Sequence, residues 1–179
     1  KQWKEQKPPV ISVPSGNFGN ICAGILAFHR GLPVSHFIAA CNVNDVVPHY
    51  LKTQILKPQD TVATLSNAMD VGDPSNFVRI LELFHQEYQS IKSKLSGDTI
   101  SDIETIETIE RVERNFGYML DPHGAVAYLA LERFLEDFPH EKGFFLETAH
   151  PVKFPEAVEK ATGKKIEIPA SLEKLMQQK

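Results

Sequence analysis

A short run of small and polar residues near the start of the chain has the composition of an anion-binding turn. The run is Ser15–Asn20, with the sequence S-G-N-F-G-N, and it lies between a β-branched run at 10–13 and an apolar run at 21–28. This order favours a strand, a glycine turn and a buried helix. A helix N-terminus leaves backbone N–H groups unpaired, and glycines let an anion approach them. The pattern matches neither common phosphate motif, so it predicts either a phosphate-binding turn or a tight turn that binds nothing.

Two further groups of polar side chains follow predicted strands. Asn42, Asn44 and Asp45 come after a predicted strand at 34–41, and Thr148 and His150 come at the end of another at 143–148. Ligands bind beyond the carboxyl ends of strands in open α/β sheets, so we expect both groups to lie near the first turn. The residues at 42–45 could orient a substrate, or they could only shape their loop.

Other side chains could do acid–base or nucleophilic chemistry, and each also has a structural interpretation. His123 and His150 titrate near neutral pH, but each lies near a proline, where a histidine can cap a turn or bond to the backbone. Cys41 could be a nucleophile, although its apolar neighbours favour a place in the core. Ser66 and Asp70 could form a hydroxyl–carboxylate pair, and their spacing also suits loop capping.

The elements that must position these residues alternate between strands and helices. The pattern predicts an α/β fold: a doubly wound, mostly parallel sheet with helices on both faces. A short strand is predicted at 61–65, a short strand or extended piece at 165–168, and a polar terminal helix at 171–178. The polar segment 89–114 is predicted to be a small helical excursion, either a partly solvated surface helix or a partner-binding one.

Length and composition set limits on the function. The 179 residues are 42% hydrophobic, which suits one globular domain with a sizeable core. A net charge of -4 gives no electrostatic footprint for nucleic acid. Two cysteines suggest neither a disulfide framework nor a zinc or other metal site, so a cytoplasmic location is expected. No apolar run is long enough for a membrane span, and the polar start is not a signal peptide.

Blocks spread over most of the chain, in the same order, resemble threonine synthase, a pyridoxal-phosphate enzyme of fold type II that is similar to tryptophan synthase β. The first is the Ser15–Asn20 turn, which resembles the family's loop for the phosphate of pyridoxal 5'-phosphate. The others are A-A-C-N-V-N-D at 39–45, A-T-L-S-N-A-M-D at 63–70, S-N-F-V-R at 75–79, G-Y-M-L-D-P-H-G-A-V-A at 117–127 and T-A-H-P-V-K-F at 148–154.

The resemblance implies roles for specific residues. The residues implied to hold the cofactor phosphate are Gly16, Asn17, Phe18, Gly19 and Asn20. Thr148 is implied to place its hydroxyl against the pyridine nitrogen, which leaves that nitrogen largely unprotonated and makes the ring a milder electron sink. From the residues alone, an ordinary threonine at a strand end is the favoured interpretation of Thr148, and the T-A-H-P match reverses it. Asn42, Asn44, Asp45, His123 and His150 are candidates for contact with the substrate or with residues that touch it.

The resemblance also implies that residues 1–179 are the C-terminal part of a longer enzyme. The chain does not begin with Met, and it lacks the N-terminal S-F-K-D-like block that carries the family's Schiff-base lysine. The whole protein is then expected to be a pyridoxal-phosphate-dependent lyase that converts O-phosphohomoserine and water to threonine and phosphate. Its partner would be the missing N-terminal part, without which the chain is expected to be inactive. A non-catalytic module that binds phosphate or pyridoxal phosphate is one alternative, and an unrelated nucleotide- or flavin-phosphate-binding domain is another.

Overall fold

A parallel β-sheet forms the centre of the molecule. The computed structural model describes residues 3–166, and within them four parallel strands lie in the order β3-β2-β1-β4. The strands are β1 Val10–Pro14, β2 His36–Cys41, β3 Leu95–Thr99 and β4 Gly143–Phe145. Val10 pairs with His36 of β2 on one side and with Gly143 of β4 on the other. The chain therefore builds the sheet outward from β1 to β3 and then returns to the opposite side of β1.

Helices cover both faces of this sheet, which confirms the predicted fold class. They are α1 Gly19–His29, α2 Val46–Thr53, α3 Phe77–Leu83, α4 Tyr88–Lys94, α5 Asp102–Phe116, α6 Pro122–Asp137 and α7 Pro155–Thr162. Short 3-10 turns occur at Asn67–Met69 and Pro151–Lys153. No helix in residues 3–166 is both long and apolar enough to cross a membrane.

Alternation along β1 explains why both faces are covered. Ile11 and Val13 point to the core shared with α1, α2, α3 and α4, whereas Val10 points to the core shared with α6. Successive side chains of a strand point to opposite faces, and all five residues of β1 are buried, so both faces of this strand are covered. Helices α5 and α7 pack on the outer side of α6 around Ile109 and Val158.

Local signals predicted the helix ends well. Gly31 has a φ of 101° just after α1, as expected for a glycine that ends a helix. The side chain of Asp121 accepts hydrogen bonds from the backbone N–H groups of His123 and Gly124 at the start of α6, and Pro122 follows in the first turn. Gly163 takes the left-handed conformation directly after α7.

Two predictions about strands were wrong. Residues 61–65 form no strand, because the backbone N–H groups of Val62, Thr64 and Leu65 donate to side chains instead of to a neighbouring strand. The segment 89–114 is not only helical, since it also supplies β3, the edge strand next to β2. The terminal elements predicted at 165–168 and 171–178 lie largely or wholly outside the described residues.

Candidate functional site

The strand order brings the three predicted groups of polar residues to one edge of the sheet. β1 lies between β2 and β4, and the direction in which the chain adds strands reverses there. In open parallel sheets, ligands bind at the carboxyl ends of the strands beside such a reversal. The turn at Ser15–Asn20 leaves β1 at that point, and the segment with Thr148 leaves β4. Asn42 leaves β2, the other neighbour of β1, at the same edge.

The turn after β1 is held rigidly at its first residue. Ser15 is buried, its backbone N–H donates to the carbonyl of Ala40 (N···O 2.8 Å), and its hydroxyl donates to the carbonyl of Val13 (2.8 Å). The thiol of Cys41 donates to the carbonyl of Ser15 (3.2 Å). Burial, followed by the charges of Asp45 and Asp98, raises the pKa of the Cys41 thiol. Cys41 is thus a core residue that supports the turn, as its apolar neighbours predicted.

The next residues bring the backbone close to a neighbouring loop. A Cβ placed on Gly16 would lie 2.5 Å from the Cα of Met69 and 3.0 Å from the carbonyl oxygen of Ala68. Phe18 caps α1 in the left-handed conformation, with a φ of 63°, an unusual backbone state for a phenylalanine. Its ring is buried and meets Phe77 of α3 edge-on, with centroids 5.7 Å apart. Core packing of the ring therefore stabilises a strained backbone.

The backbone N–H groups of this turn have no protein partner. Within residues 3–166, none of the N–H groups from Gly16 to Ile21 donates to a protein acceptor. Asn17, Gly19 and Asn20 are exposed, and the first turn of α1 carries no acidic residue. Unpaired N–H groups and the positive end of the helix dipole favour an anion with several oxygens. The turn fits the phosphate of pyridoxal phosphate on these grounds.

The predicted residues after β2 bond to other parts of the protein. Asn42 and Asn44 are buried, and their side-chain amides bond to Thr64, Ser66, Asp70 and Val62. Asp45 lies at the N-cap position of α2 as predicted, but its side chain makes no capping bond there. Its Oδ2 accepts instead from the hydroxyl of Thr99 at the end of β3 (3.0 Å). Asp45 therefore links the ends of β2 and β3.

The residues after β4 are exposed. Thr148 lies beyond the end of β4, and within residues 3–166 its side chain makes no hydrogen bond. His150 accepts from the backbone N–H of Val152 through Nδ1 (3.2 Å) and so caps the 3-10 turn at Pro151–Lys153. Capping was one of the two predictions for His150, and its Nε2 stays available to a ligand.

A buried carboxylate–imidazole pair begins α6. Nδ1 of His123 lies 2.7 Å from Oδ1 of Asp121, and both side chains are almost fully buried. Nε2 of His123 is also buried and has no hydrogen-bond partner among the described residues. Burial opposes ionisation of Asp121, but hydrogen bonds from the ring and backbone of His123 outweigh it and lower the pKa of Asp121. The ring of His123 packs against Phe154, with centroids 4.9 Å apart.

Glu147 is a titratable residue at this site that the sequence reasoning missed. Its Oε1 accepts a long hydrogen bond from the backbone N–H of Asp121 (3.4 Å), and its carboxyl group lies against Gly124. Glu147 is exposed as a whole residue, but its carboxyl group lies against Gly124. This local loss of solvent, followed by the charge of Asp121, raises the pKa of Glu147 to about 8. An acidic residue directly before Thr148 was the available signal, but the pairing with Asp121 depends on the tertiary structure.

Comparisons with known proteins agree with this geometry. A family model described as "Pyridoxal-phosphate dependent enzyme" matches residues 1–143, and one described as "Threonine synthase, C-terminal" matches residues 124–179. The chain is 48% identical over 163 residues to a threonine synthase of Escherichia coli, covering 91% of this chain and 37% of that protein. It is 46% identical over 169 residues to one of Buchnera aphidicola, covering 94% and 38%.

Solved structures give the same result. The crystal structure of threonine synthase from Escherichia coli matches with a TM-score of 0.90 and 44% identity, covering 98% of this chain and 41% of that one. The pyridoxal-phosphate-bound threonine synthase from Brucella melitensis matches with a TM-score of 0.90 and 32% identity, covering 97% and 42%. This chain spans less than half the length of each of these relatives. It belongs to the pyridoxal-phosphate-dependent enzymes, and its match is to the C-terminal part of threonine synthases.

Proposed function

We propose that this chain is the cofactor-binding C-terminal part of a threonine synthase, which converts O-phosphohomoserine and water to threonine and phosphate. The observation that carries the proposal is the row of unpaired N–H groups from Gly16 to Ile21 at the reversal of strand order. That row coincides with the first of the sequence blocks that resemble the family. When bound, pyridoxal phosphate supplies an electron sink for amino-acid chemistry.

The chain's own residues would divide the work between the two ends of the site. Backbone N–H groups of Gly16, Asn17, Phe18, Gly19 and Asn20 bind the cofactor phosphate. The hydroxyl of Thr148 faces the pyridine nitrogen and orients the ring without placing a carboxylate there. Asn42, Asn44 and Asp45 hold the surrounding loops and do not touch the substrate.

Two histidines are placed for different roles near the ring end. The hydrogen bond between Nδ1 of His123 and Oδ1 of Asp121 orients the imidazole ring at the start of α6. His150 is exposed, and its Nε2 is the atom that could exchange a proton with a bound substrate. The Schiff-base lysine would come from the part of the enzyme that precedes this sequence, so the chain alone would not form threonine.

The test begins with the mass of the intact protein in cell extract, by blotting or intact mass spectrometry. We expect a species well above 20.1 kDa that binds pyridoxal phosphate and releases phosphate and threonine from O-phosphohomoserine. This chain expressed alone serves as the inactive control. An intact species of 20.1 kDa that binds pyridoxal phosphate without forming threonine would contradict the proposal and favour the non-catalytic binding module.

A further inference from the structure

A cluster of polar side chains holds the segment between α2 and α3, which has no strand of its own. We call this cluster the Asp70 network, and its members are Asn42, Asn44, Thr64, Ser66 and Asp70. Three of them are buried, and Thr64 and Asp70 are half-buried. Buried polar groups must find hydrogen-bond partners, so a network of this kind constrains the position of every loop that contributes to it.

The carboxylate of Asp70 accepts three close hydrogen bonds, including the shortest of the network. Its Oδ1 accepts from the hydroxyl of Thr64 (2.6 Å) and from the amide of Asn42 (2.8 Å). Its Oδ2 accepts from the backbone N–H of Thr64 (2.9 Å). No lysine, arginine or histidine in residues 3–166 pairs with it. Neutral donors alone therefore balance its charge, and loss of the charge would weaken all of these bonds together.

Asn42 connects the network to the end of β2. Its side-chain oxygen accepts from the backbone N–H (3.0 Å) and the side-chain amide (2.9 Å) of Asn44. Asn44 in turn accepts from the backbone N–H of Val62 (2.8 Å) and donates to its carbonyl (2.8 Å). Segment 62–64 is thus fixed to the sheet by asparagine side chains in place of a strand ladder.

The network ends at the 3-10 turn that lies against the cofactor turn. The backbone of Ala68 and Met69 lies so close to Gly16 that a side chain at this position would not fit. Met69 is buried. Its backbone N–H donates to the carbonyl of Ser66, which is a member of the Asp70 network (2.8 Å). A shift of the 67–69 turn would therefore be transmitted directly to the backbone of Gly16, since close-packed backbones cannot move independently.

We propose that Asp70 is a positioning residue for the cofactor phosphate. Through Thr64 and Asn42 it holds the 67–69 turn against Gly16, and in this way it fixes the direction of the unpaired N–H groups that follow. Asp70 itself touches no ligand. The expected effect on cofactor binding rests on the proposed function. The structural link between Asp70 and Gly16 can be tested without any ligand.

The first test compares D70N with D73N in the intact protein. Both variants remove one carboxylate from the same loop, but Asp73 is exposed and makes no hydrogen bond through its side chain within residues 3–166. We expect D70N to speed amide hydrogen exchange at Ser15 and Met69, whose N–H groups are hydrogen-bonded next to Gly16, and to raise the dissociation constant for pyridoxal phosphate roughly tenfold, since several charge-assisted bonds are lost. We expect D73N to match the wild type in both measurements.

A second pair of variants covers the case in which D70N does not fold. T64V removes the hydroxyl that donates to Asp70, and T64S retains it. We expect T64V to speed exchange at Ser15 and Met69 and T64S to restore the wild-type rate. Thermal unfolding of each variant, and exchange at Ile11 and Phe37 in the sheet, separate a local effect from a general loss of stability.

The experiments distinguish a failure of this inference from a failure of the proposed function. Exchange at Ser15 and Met69 that is unchanged in D70N and T64V, or that rises equally across the sheet, would overturn the inference. If the wild type bound neither pyridoxal phosphate nor inorganic phosphate, the proposed function would fail. The exchange comparison would still decide whether Asp70 positions the turn.

Discussion

The two strand ends that meet at the site differ in how firmly the described residues hold them. β1 is buried along its five residues, and the turn that follows it is fixed by Ala40 and Cys41 on one side and by Met69 on the other. β4 has only three residues, lies at the sheet edge, and leads into exposed residues at Glu147 and Thr148.

This difference separates two parts of ligand binding. The anion-binding turn is preorganised by this chain, so a phosphate would pay little conformational entropy on binding there. Beyond β4, the side chain of Thr148 is exposed and makes no hydrogen bond within residues 3–166. We therefore expect the ligand and other contacts to set the orientation of Thr148. The geometry of the phosphate turn depends on them less.

The most damaging substitution should be G16A. The added methyl would overlap the Cα of Met69, a backbone atom that cannot swing away, so we expect a loss of about 1–3 kcal/mol in unfolding free energy. Phosphate binding should be lost with it. Thermal or urea unfolding and pyridoxal-phosphate titration measure the two effects.

The matched control for G16A is G124A, in the first turn of α6 and against Glu147 after β4. A methyl on Gly124 would meet the carboxylate of Glu147, the far end of a flexible side chain. Glu147 can move into solvent, so we expect little change in unfolding free energy, or a slight gain from replacing a helical glycine. A loss in G124A as large as that in G16A would contradict the difference between the two ends.

A smaller and pH-dependent effect is expected for E147Q. Because the pKa of Glu147 is raised from 4.5 to about 8, the folded chain holds a proton that the unfolded chain releases. The unfolding free energy should therefore fall as the pH rises from about 4.5 to about 8, and E147Q should remove this part of the slope. Urea unfolding at pH 5, 7 and 9 measures it. Parallel pH profiles of wild type and E147Q would show that Glu147 does not interact with Asp121 as described.

The smallest effect should come from T148A. The side chain of Thr148 is exposed and makes no hydrogen bond within residues 3–166, so its loss should change the unfolding free energy by less than about 0.5 kcal/mol. We expect a change instead in the absorbance of bound pyridoxal phosphate in the intact enzyme. A large loss of stability in T148A would mean that the β4 end is held as firmly as the β1 end.

The sequence was sufficient to predict the parts of the fold that depend on local pattern. The β-branched run, the glycine turn and the apolar helix of residues 10–28 were predicted correctly because each signal agrees with the next. The strand β3 was missed because L-S-G-D-T is polar and contains a glycine. Gly97 is required there because a Cβ would lie 2.9 Å from the Cα of Pro48, a contact that no local pattern reveals.

The buried face of α5 also could not be predicted from its isoleucines. Ile103, Ile106 and Ile109 form a narrow apolar stripe at a spacing of three, but Ile103 is exposed. The helix buries Thr105, Thr108, Ile109 and Val112 instead. A spacing of three residues drifts around an α-helix, so the face that packs is set by α6 and α7 and not by the isoleucines alone.

The candidate site likewise has a part that local sequence pattern predicts and a part that depends on tertiary packing. Its place at the strand ends follows from the alternation of strands and helices, and the residues at 15–20 were predicted there. The support from Asp70 and the pairing of Glu147 with Asp121 join residues far apart in sequence. Loop conformations of this kind depend on tertiary packing, so spacing alone could not predict them.

The pairing of β1 with β4 also has a consequence for the synthesis of the protein. Val10 pairs with Gly143, so the strand that carries the anion-binding turn gains its second neighbour only after nearly all of the described chain has left the ribosome. Contacts this distant in sequence slow folding. One edge of β1 then stays open throughout elongation, when an unpaired strand can join another chain. The nascent protein therefore most needs protection from aggregation in the period before β4 pairs with β1.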